Sequence, residues 1–322
     1  LTTFHTRYSE GISHAKIILI GEHSVVYGKP AIALPLSEVK TTVTIEQTYG
    51  EPSSIKSRYF DGPLSSMPKN MQGLKHLILL ILKTLNKQKE QFKMTIKSDL
   101  PAERGMGSSA ATAIAVIRAL YSFFELELTQ DKLLSLANVS EVDMHGNPSG
   151  LDAATSASSQ PIWMIRNKEL KKIPIHLDGC LLICDSGIKG KTSAAVASVR
   201  NLLKKNPHDT KLLLEELERL AFSARNQLSN NDIVGLGDTF NKAQEQLQKL
   251  GVSNQKLDKL IALSKDLGSL GSKLTGGGRG GCFICLMPSI KLAKKAIPIL
   301  KHAGTTTTWI QPLGITITEE VN

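Results

Sequence analysis

Compact apolar runs alternate along this chain with longer stretches in which apolar residues recur at helical spacing. Residues 15–20 (AKIILI) are a compact run and read as a buried strand. Residues 39–47 (VKTTVTIEQ) alternate and are rich in Val and Thr, as a half-buried strand requires. The segment 49–69 carries Gly, Pro and Ser clusters and reads as a loop excursion. Helical spacing returns at 74–85, 92–97 is a strand, and 108–124 predicts a long helix, small on one side and apolar on the other. Thr129 is placed to N-cap a further helix reaching about Val142. A short helix of small residues follows at 152–158, with strands at 160–165 and 179–185.

The pattern changes near residue 186. Residues 192–205, 208–229, 232–249 and 254–267 all read as helices. After them come a strand at 271–275, a glycine cluster, a strand at 282–287, a helix at 290–302 and two strands near 305–318. Both element types throughout predict an α+β or α/β protein. The shift in character suggests two domains, 1–186 and 187–322, a division that 322 residues can accommodate.

Composition alters this picture little. At 41% hydrophobic and 21% charged residues the chain is of globular type. The longest apolar run, Leu77–Leu82, ends at Lys83, short of the roughly 18 to 20 residues of a membrane span. The opening LTTFHTRYSE has no apolar h-region. A cytoplasmic protein without a membrane partner is the expectation. The net charge of +10 admits either nucleic acid or an anionic small substrate steered by a positive cleft. Aromatics at 5% leave few stacking platforms, and no nucleic-acid module motif is present, so no nucleic-acid partner is expected. Cys282 and Cys285 spell C-x-x-C, but in the strand-like run CFICL they point to opposite faces and cannot clamp one metal. Together with Cys180 and Cys184 in CLLIC they read as buried thiols.

The strongest candidate for chemistry is Leu100-Pro-Ala-Glu-Arg-Gly-Met-Gly-Ser-Ser-Ala-Ala, which follows a strand and opens a helix. Gly105 and Gly107 permit positive φ and close backbone approach. The free N–H groups of a helix start favour an anion. Ser108 and Ser109 offer hydroxyls to phosphate or to magnesium. A tight turn with a serine cap is the plain alternative. Gly105-x-Gly107-x-x-Ala110 also fits the dinucleotide fingerprint, with Glu125 as the later acid. That acid should end a second strand, and Phe123-Phe124-Glu125 ends a helix instead. A Walker A match at Gly190-Lys191-Thr192 fails because Asp185 occupies the required earlier glycine.

Three further runs stand out. Glu141 precedes the dense turn His145-Gly-Asn-Pro-Ser-Gly150, and Asp152 follows it at a helix start, where a carboxylate is kept ionised and can receive a hydroxyl proton. Lys16 opens an apolar strand that ends at Gly21-Glu22-His23, and ligands favour strand ends. Lys273-Leu-Thr-Gly-Gly-Gly-Arg-Gly-Gly-Cys282 is too rich in glycine and too long for a plain hairpin. Alone, Asp152 serves equally as a helix cap, Glu141 as a surface acid, Lys16 as an edge charge and His23 as a structural histidine.

In this order the four motifs K-I-I-L-I-G-E-H, L-P-x-x-x-G-M-G-S-S-A-A, H-G-N-P-S-G-L-D and K-L-T-G-G-G-R-G-G resemble the GHMP kinases across roughly residues 13 to 315. The first, third and fourth look most like the mevalonate kinases of bacterial type within that superfamily. The resemblance implies an α+β, two-domain fold, with an N-terminal α/β domain containing a left-handed βαβ crossover and a C-terminal ferredoxin-like domain. It implies ATP-dependent phosphorylation of the 5-hydroxyl of mevalonate to 5-phosphomevalonate, on the route to isoprenoids, by a monomer or homodimer. Phosphomevalonate kinase or another small-molecule kinase of the family is the alternative. By resemblance, Asp152 faces the substrate hydroxyl and Lys16 stands beside it to stabilise the transferred phosphoryl. Pro101, Ala102, Glu103, Arg104, Gly105, Met106, Gly107, Ser108, Ser109, Ala110 and Ala111 hold ATP. Ser108 or Ser109 ligates Mg2+ with Glu141. Lys16, Glu22, His23, Ser149, Thr192, Gly277 and Gly278 surround the substrate. Where the family has Pro-Gly before the first lysine, this chain has Ser13-His14-Ala15, which predicts a looser turn ahead of that strand.

Overall fold

The computed structural model describes residues 6–100, 104–145, 148–175, 177–190 and 192–314. They fall into two compact units: Leu1–Lys16, Pro35–Ala102 and Gly107–Ser159 in the first, and Ile17–Leu34, Glu103–Met106 and Gln160–Asn322 in the second.

The first unit holds most of strand β1 (Tyr8–Ile20) and most of β2 (Pro30–Gln47). It continues with β3 (Ser54–Lys56), β4 (Asp61–Pro63), α1 (Gln72–Thr84), β5 (Phe92–Ser98), α2 (Ser108–Phe123), α3 (Gln130–His145) and α4 (Leu151–Ser156). β5 pairs antiparallel with β2, from Thr41 opposite Ser98 to Gln47 opposite Phe92. It also pairs in parallel with β3, so the chain from β3 through α1 to β5 is a βαβ crossover. The excursion read as loop thus contains two strands of three residues, too short to leave a period in the sequence. Val43, Ile45, Phe92 and Met94 pack with Ile78 and Ile81 of α1 and with the inner face of α2. Thr129 caps α3 as expected, its Oγ1 accepting from the Lys132 N–H at 3.3 Å.

The packing of β1 on α2 sets the site. The Ser9 hydroxyl donates to the Ala119 carbonyl at 2.9 Å and the Ser13 hydroxyl to the Ala111 carbonyl at 2.6 Å. Between them a Cβ on Gly11 would lie 2.2 Å from the Ala115 carbonyl oxygen. Two residues of strand advance about 6.6 Å and four of helix about 6 Å, so the two rows stay in step. β1 therefore runs back along α2 toward its N-terminus. No turn interrupts it at Ser13-His14-Ala15: the strand starts at Tyr8, and the small buried side chains of Ser13 and Ala15 let it lie close to the helix. The expected loosening before Lys16 is replaced by a continuous strand.

In the second unit the start of β2 pairs with β6 (Ile162–Ile165), and β6 with β7 (Glu169–Lys172). Then follow β8 (Cys180–Asp185), α5 (Thr192–Lys205), α6 (Pro207–Ser229), α7 (Ile233–Lys249), α8 (Gln255–Asp266), β9 (Gly271–Leu274), β10 (Cys282–Met287), α9 (Ile290–His302) and β11 (Thr308–Pro312). The sheet order is β11-β8-β10-β9 with every pairing antiparallel. This is the ferredoxin-like order, with four helices in its first connection and α9 in its second. Asp232, Asn254 and Ser289 cap α7, α8 and α9 through their side chains. Of the two strands expected near 305–318, β11 is present, and residues from 315 onward lie outside the described ones. The four cysteines are free and buried in β8 and β10, and burial pushes the Cys180 thiol up to about 11. Among the described residues no helix is long and apolar enough to cross a membrane.

Candidate active site

In the first unit the site grows from the N-terminus of α2. Gly107 is its N-cap at φ 73°, and no side chain caps the helix, so its first N–H groups remain available to a ligand. A Cβ on Gly107 would stand 2.9 Å from both Cε and Cγ of Lys16, so the lysine as well as the backbone demands glycine there. Lys16, 2% exposed, sends its Nζ to within 2.8 Å of Asp152 Oδ1, whose side chain is 36% exposed. Asp152 lies in the first turn of α4, which Gly150 opens at φ 84°. Ser149 stands just before it and accepts the Leu151 N–H on its Oγ at 3.3 Å. In the first turn of α2, the Ser109 hydroxyl donates to Glu141 Oε1 of α3 at 2.9 Å. The Ser108 carbonyl accepts the Thr112 hydroxyl, and Ala110 and Ala111 are buried on the helix's inner face. Pro101, Ala102 and Glu103 lie outside the described residues.

The second unit gathers the remaining residues around the glycine loop that follows β9. Gly105 (φ 78°) and Gly276 (φ 77°) meet backbone to backbone: a Cβ on Gly276 would lie 2.9 Å from the Gly105 Cα. Met106 is buried. Arg104 pairs through Nε with Asp185 Oδ2 at 2.8 Å, and its carbonyl accepts the Cys282 N–H at 3.1 Å. Thr192 opens α5, with its Oγ1 2.7 Å from where a Gly277 Cβ would be. A small cleft is lined by Arg104, Gly105, Gly190, Thr192, Thr275 and the loop glycines, Gly277 and Gly278 among them. Arg279 pins the loop from outside, donating to the Ser198 hydroxyl at 2.7 Å and the Gly251 carbonyl at 3.0 Å.

Glu22 and His23 sit in the turn at the end of β1. Glu22 has no exposed surface and forms an ion pair with the equally enclosed Lys273 of β9. His23, at φ 62°, places Nε2 3.0 Å from the Gly277 carbonyl. Burial lowers its pKa to about 4, so at neutral pH the ring is uncharged. The carbonyl can only accept, so Nε2 carries the ring proton. Sequence reasoning gave no role to Lys273, Thr275 or Asp185. The one available signal was a lysine between Ser272 and Leu274 in a strand that otherwise reads as core.

A lysine and a half-open carboxylate at an uncapped helix start can hold a phosphate beside a hydroxyl. Comparison with known proteins agrees with this chemistry. The GHMP kinases N terminal domain family matches residues 74–160, and the GHMP kinases C terminal family matches 210–304. A mevalonate kinase of Pyrococcus abyssi is 30% identical over 315 residues, spanning 91% of this chain and 92% of its own. The crystal structure of mevalonate kinase from methicillin-resistant Staphylococcus aureus superposes with a TM-score of 0.75 at 34% identity, over 96% of this chain and 100% of that one. The L. major mevalonate kinase, solved in complex with R-mevalonate, superposes with a TM-score of 0.81 at 27% identity, over 95% and 97%. Matched in both family domains and along nearly its whole length by these relatives, the chain belongs to the GHMP kinase family, on the side of its mevalonate kinases.

Proposed function

We propose that this protein transfers the γ-phosphoryl group of ATP to the 5-hydroxyl of mevalonate, giving ADP and 5-phosphomevalonate. The observation that carries the reading is the Lys16–Asp152 pair, 2.8 Å apart beside the uncapped start of α2. Asp152 orients the hydroxyl and takes its proton as the oxygen attacks phosphorus. The bond from phosphorus to the bridging oxygen of ADP breaks as the new one forms. Lys16 offers its ammonium to the attacking oxygen and to the phosphoryl in flight. In the first unit the N–H groups at the start of α2 receive phosphate oxygens; in the second the glycine loop offers N–H groups to phosphate, and Thr192, Gly277 and Gly278 are its proposed substrate contacts.

Ser109 and Glu141 are the residues that fit Mg2+. Their oxygens are 2.9 Å apart, the spacing of neighbouring ligands on an octahedral ion with bonds of about 2.0–2.1 Å. Among the described residues no group of three or more His, Cys, Asp or Glu could hold a metal, which suits an ion that takes its other ligands from phosphate and water. When bound there, Mg2+ would neutralise phosphate charge. An enzyme that consumes ATP works where ATP is, so the cytoplasm is its proposed place.

The test is ADP release measured with mevalonate, phosphomevalonate, galactose and homoserine. Mevalonate should exceed each of the others in kcat/KM by about 100-fold or more, since a hydrogen-bonding pocket discriminates strongly between polar substrates. Preference for phosphomevalonate would overturn the substrate, and no ATP-dependent turnover of any of them would overturn the reaction.

A further inference from the structure

The buried ion pair of Glu22 and Lys273 lies outside the transfer chemistry, yet it sits where three links tie one short stretch of chain to another. Thr275 exchanges two hydrogen bonds with Ile18, accepting from its N–H at 3.0 Å and donating to its carbonyl at 2.9 Å. Lys273 pairs with Glu22 and donates also to the Leu274 carbonyl at 2.8 Å. His23 donates to the Gly277 carbonyl. Residues 18–23 are thereby fastened to residues 273–277, the strand end from which the glycine loop springs.

We infer that Lys273 is a positioning residue for the phosphoryl transfer, acting through Glu22 to hold the glycine loop where its N–H groups and Gly277 meet the substrates. Of the three links this one resists adjustment most. Both side chains are 0% exposed, so neither charge can turn to water if the other moves. Phe240 closes over the ammonium, its ring centroid 5.8 Å from Nζ. The turn that Glu22 occupies has little slack either. His23 holds a left-handed φ of 62° that a histidine rarely adopts, and Gly21 beside it is wedged against Pro30 and Ala31. A turn held in that state aims the imidazole at one carbonyl of the loop and keeps it there. The loop's six residues include five glycines, which fix little of their own conformation. Their positions have to be imposed from outside, and the charge pair is the rigid part of the clamp.

This inference rests on the kinase reading, and wild-type turnover of mevalonate in the same assay separates the two: an inactive wild type sinks the reading, an active one leaves the clamp to be judged by its variants. Three variants test it, each assayed well below its own melting temperature. Lys273→Arg keeps the charge and changes its shape. It should fold with a melting temperature within a few degrees of wild type and raise KM for ATP at least about fivefold, with kcat changed less. Lys273→Met strands a buried carboxylate and should melt far lower. Removing both charges with Glu22→Leu and Lys273→Met should recover most of that melting temperature while KM for ATP stays raised about tenfold. Wild-type KM values in Lys273→Arg, or in the refolded double variant, would show a pair that serves stability alone and would overturn the inference.

Discussion

Lys16 with Asp152 in the first unit and Lys273 with Glu22 in the second are both lysine–carboxylate pairs, and their surroundings are opposite. Lys16 meets Asp152 with the carboxylate 36% exposed, whereas Lys273 meets Glu22 with neither side chain exposed at all. In the first pair a hydroxyl or phosphate can approach Asp152 and water can screen the charges. In the second nothing can replace either partner, and withdrawing one leaves a charge in an apolar enclosure. The same two functional groups are thus open to a ligand in one place and sealed from it in the other, which is why the first is proposed for the chemistry and the second for positioning. The largest expected effect follows. Asp152→Asn keeps the shape of the open pair and removes the proposed base, so kcat should fall by about 10²–10⁴-fold with the melting temperature within a few degrees of wild type. A kcat within tenfold of wild type would remove Asp152 from the chemistry and erase the contrast between the pairs.

The open pair was expected from the family resemblance and the sealed one was not. Local pattern placed Asp152 at a helix start and Lys16 on a strand, and only the resemblance set them side by side. Lys273 and Thr275 find their partners 251 and 257 residues away, and only the tertiary fold brings them together. The same division runs through the fold. Helices α7, α8 and α9 begin at Asp232, Asn254 and Ser289, residues whose side chains cap them, so their starts could be read directly. Strands β3 and β4 are defined by partners such as Lys93 opposite Ser54, and their own residues carry no period. The first half of β1 buries Ser9, Gly11 and Ser13, which look like loop residues until the alanines of α2 are laid against them.

A second test separates the units by acid. The His23 pKa is lowered from 6.5 to about 4, chiefly by burial, with Arg279 adding to the effect. Between those values the unfolded chain binds a proton that the folded chain refuses, so stability rises with pH there. The contribution is complete above about pH 6.5 and is lost as pH falls toward 4, amounting to about 3 kcal/mol at most. His23→Gln can still donate to the Gly277 carbonyl but cannot titrate. Denaturant melts of the two proteins from pH 7.5 to 4.5 should therefore converge as pH falls, with the wild type losing more. A constant difference across that range would mean that the imidazole is not the buried, neutral donor the glycine loop relies on.

The smallest effect belongs to Ser109, and it asks whether the first unit's cluster is built for a metal or merely for packing. Its hydroxyl reaches Glu141, which is itself 5% exposed. In a packing role, Ser109→Ala would leave a carboxylate short of one hydrogen bond and lower stability by about 1 kcal/mol without touching metal dependence. In the proposed role it removes one of two protein oxygens from Mg2+, while phosphate and water supply the others. The Mg2+ concentration for half-maximal turnover should then rise about tenfold, with KM for mevalonate unchanged. Glu141→Gln should shift the same Mg2+ titration further, because it takes away the carboxylate's negative charge and leaves only a neutral amide oxygen to the ion. If both variants titrate with Mg2+ as the wild type does, the 2.9 Å contact is a helix–helix hydrogen bond, and the metal is held by substrate oxygens instead.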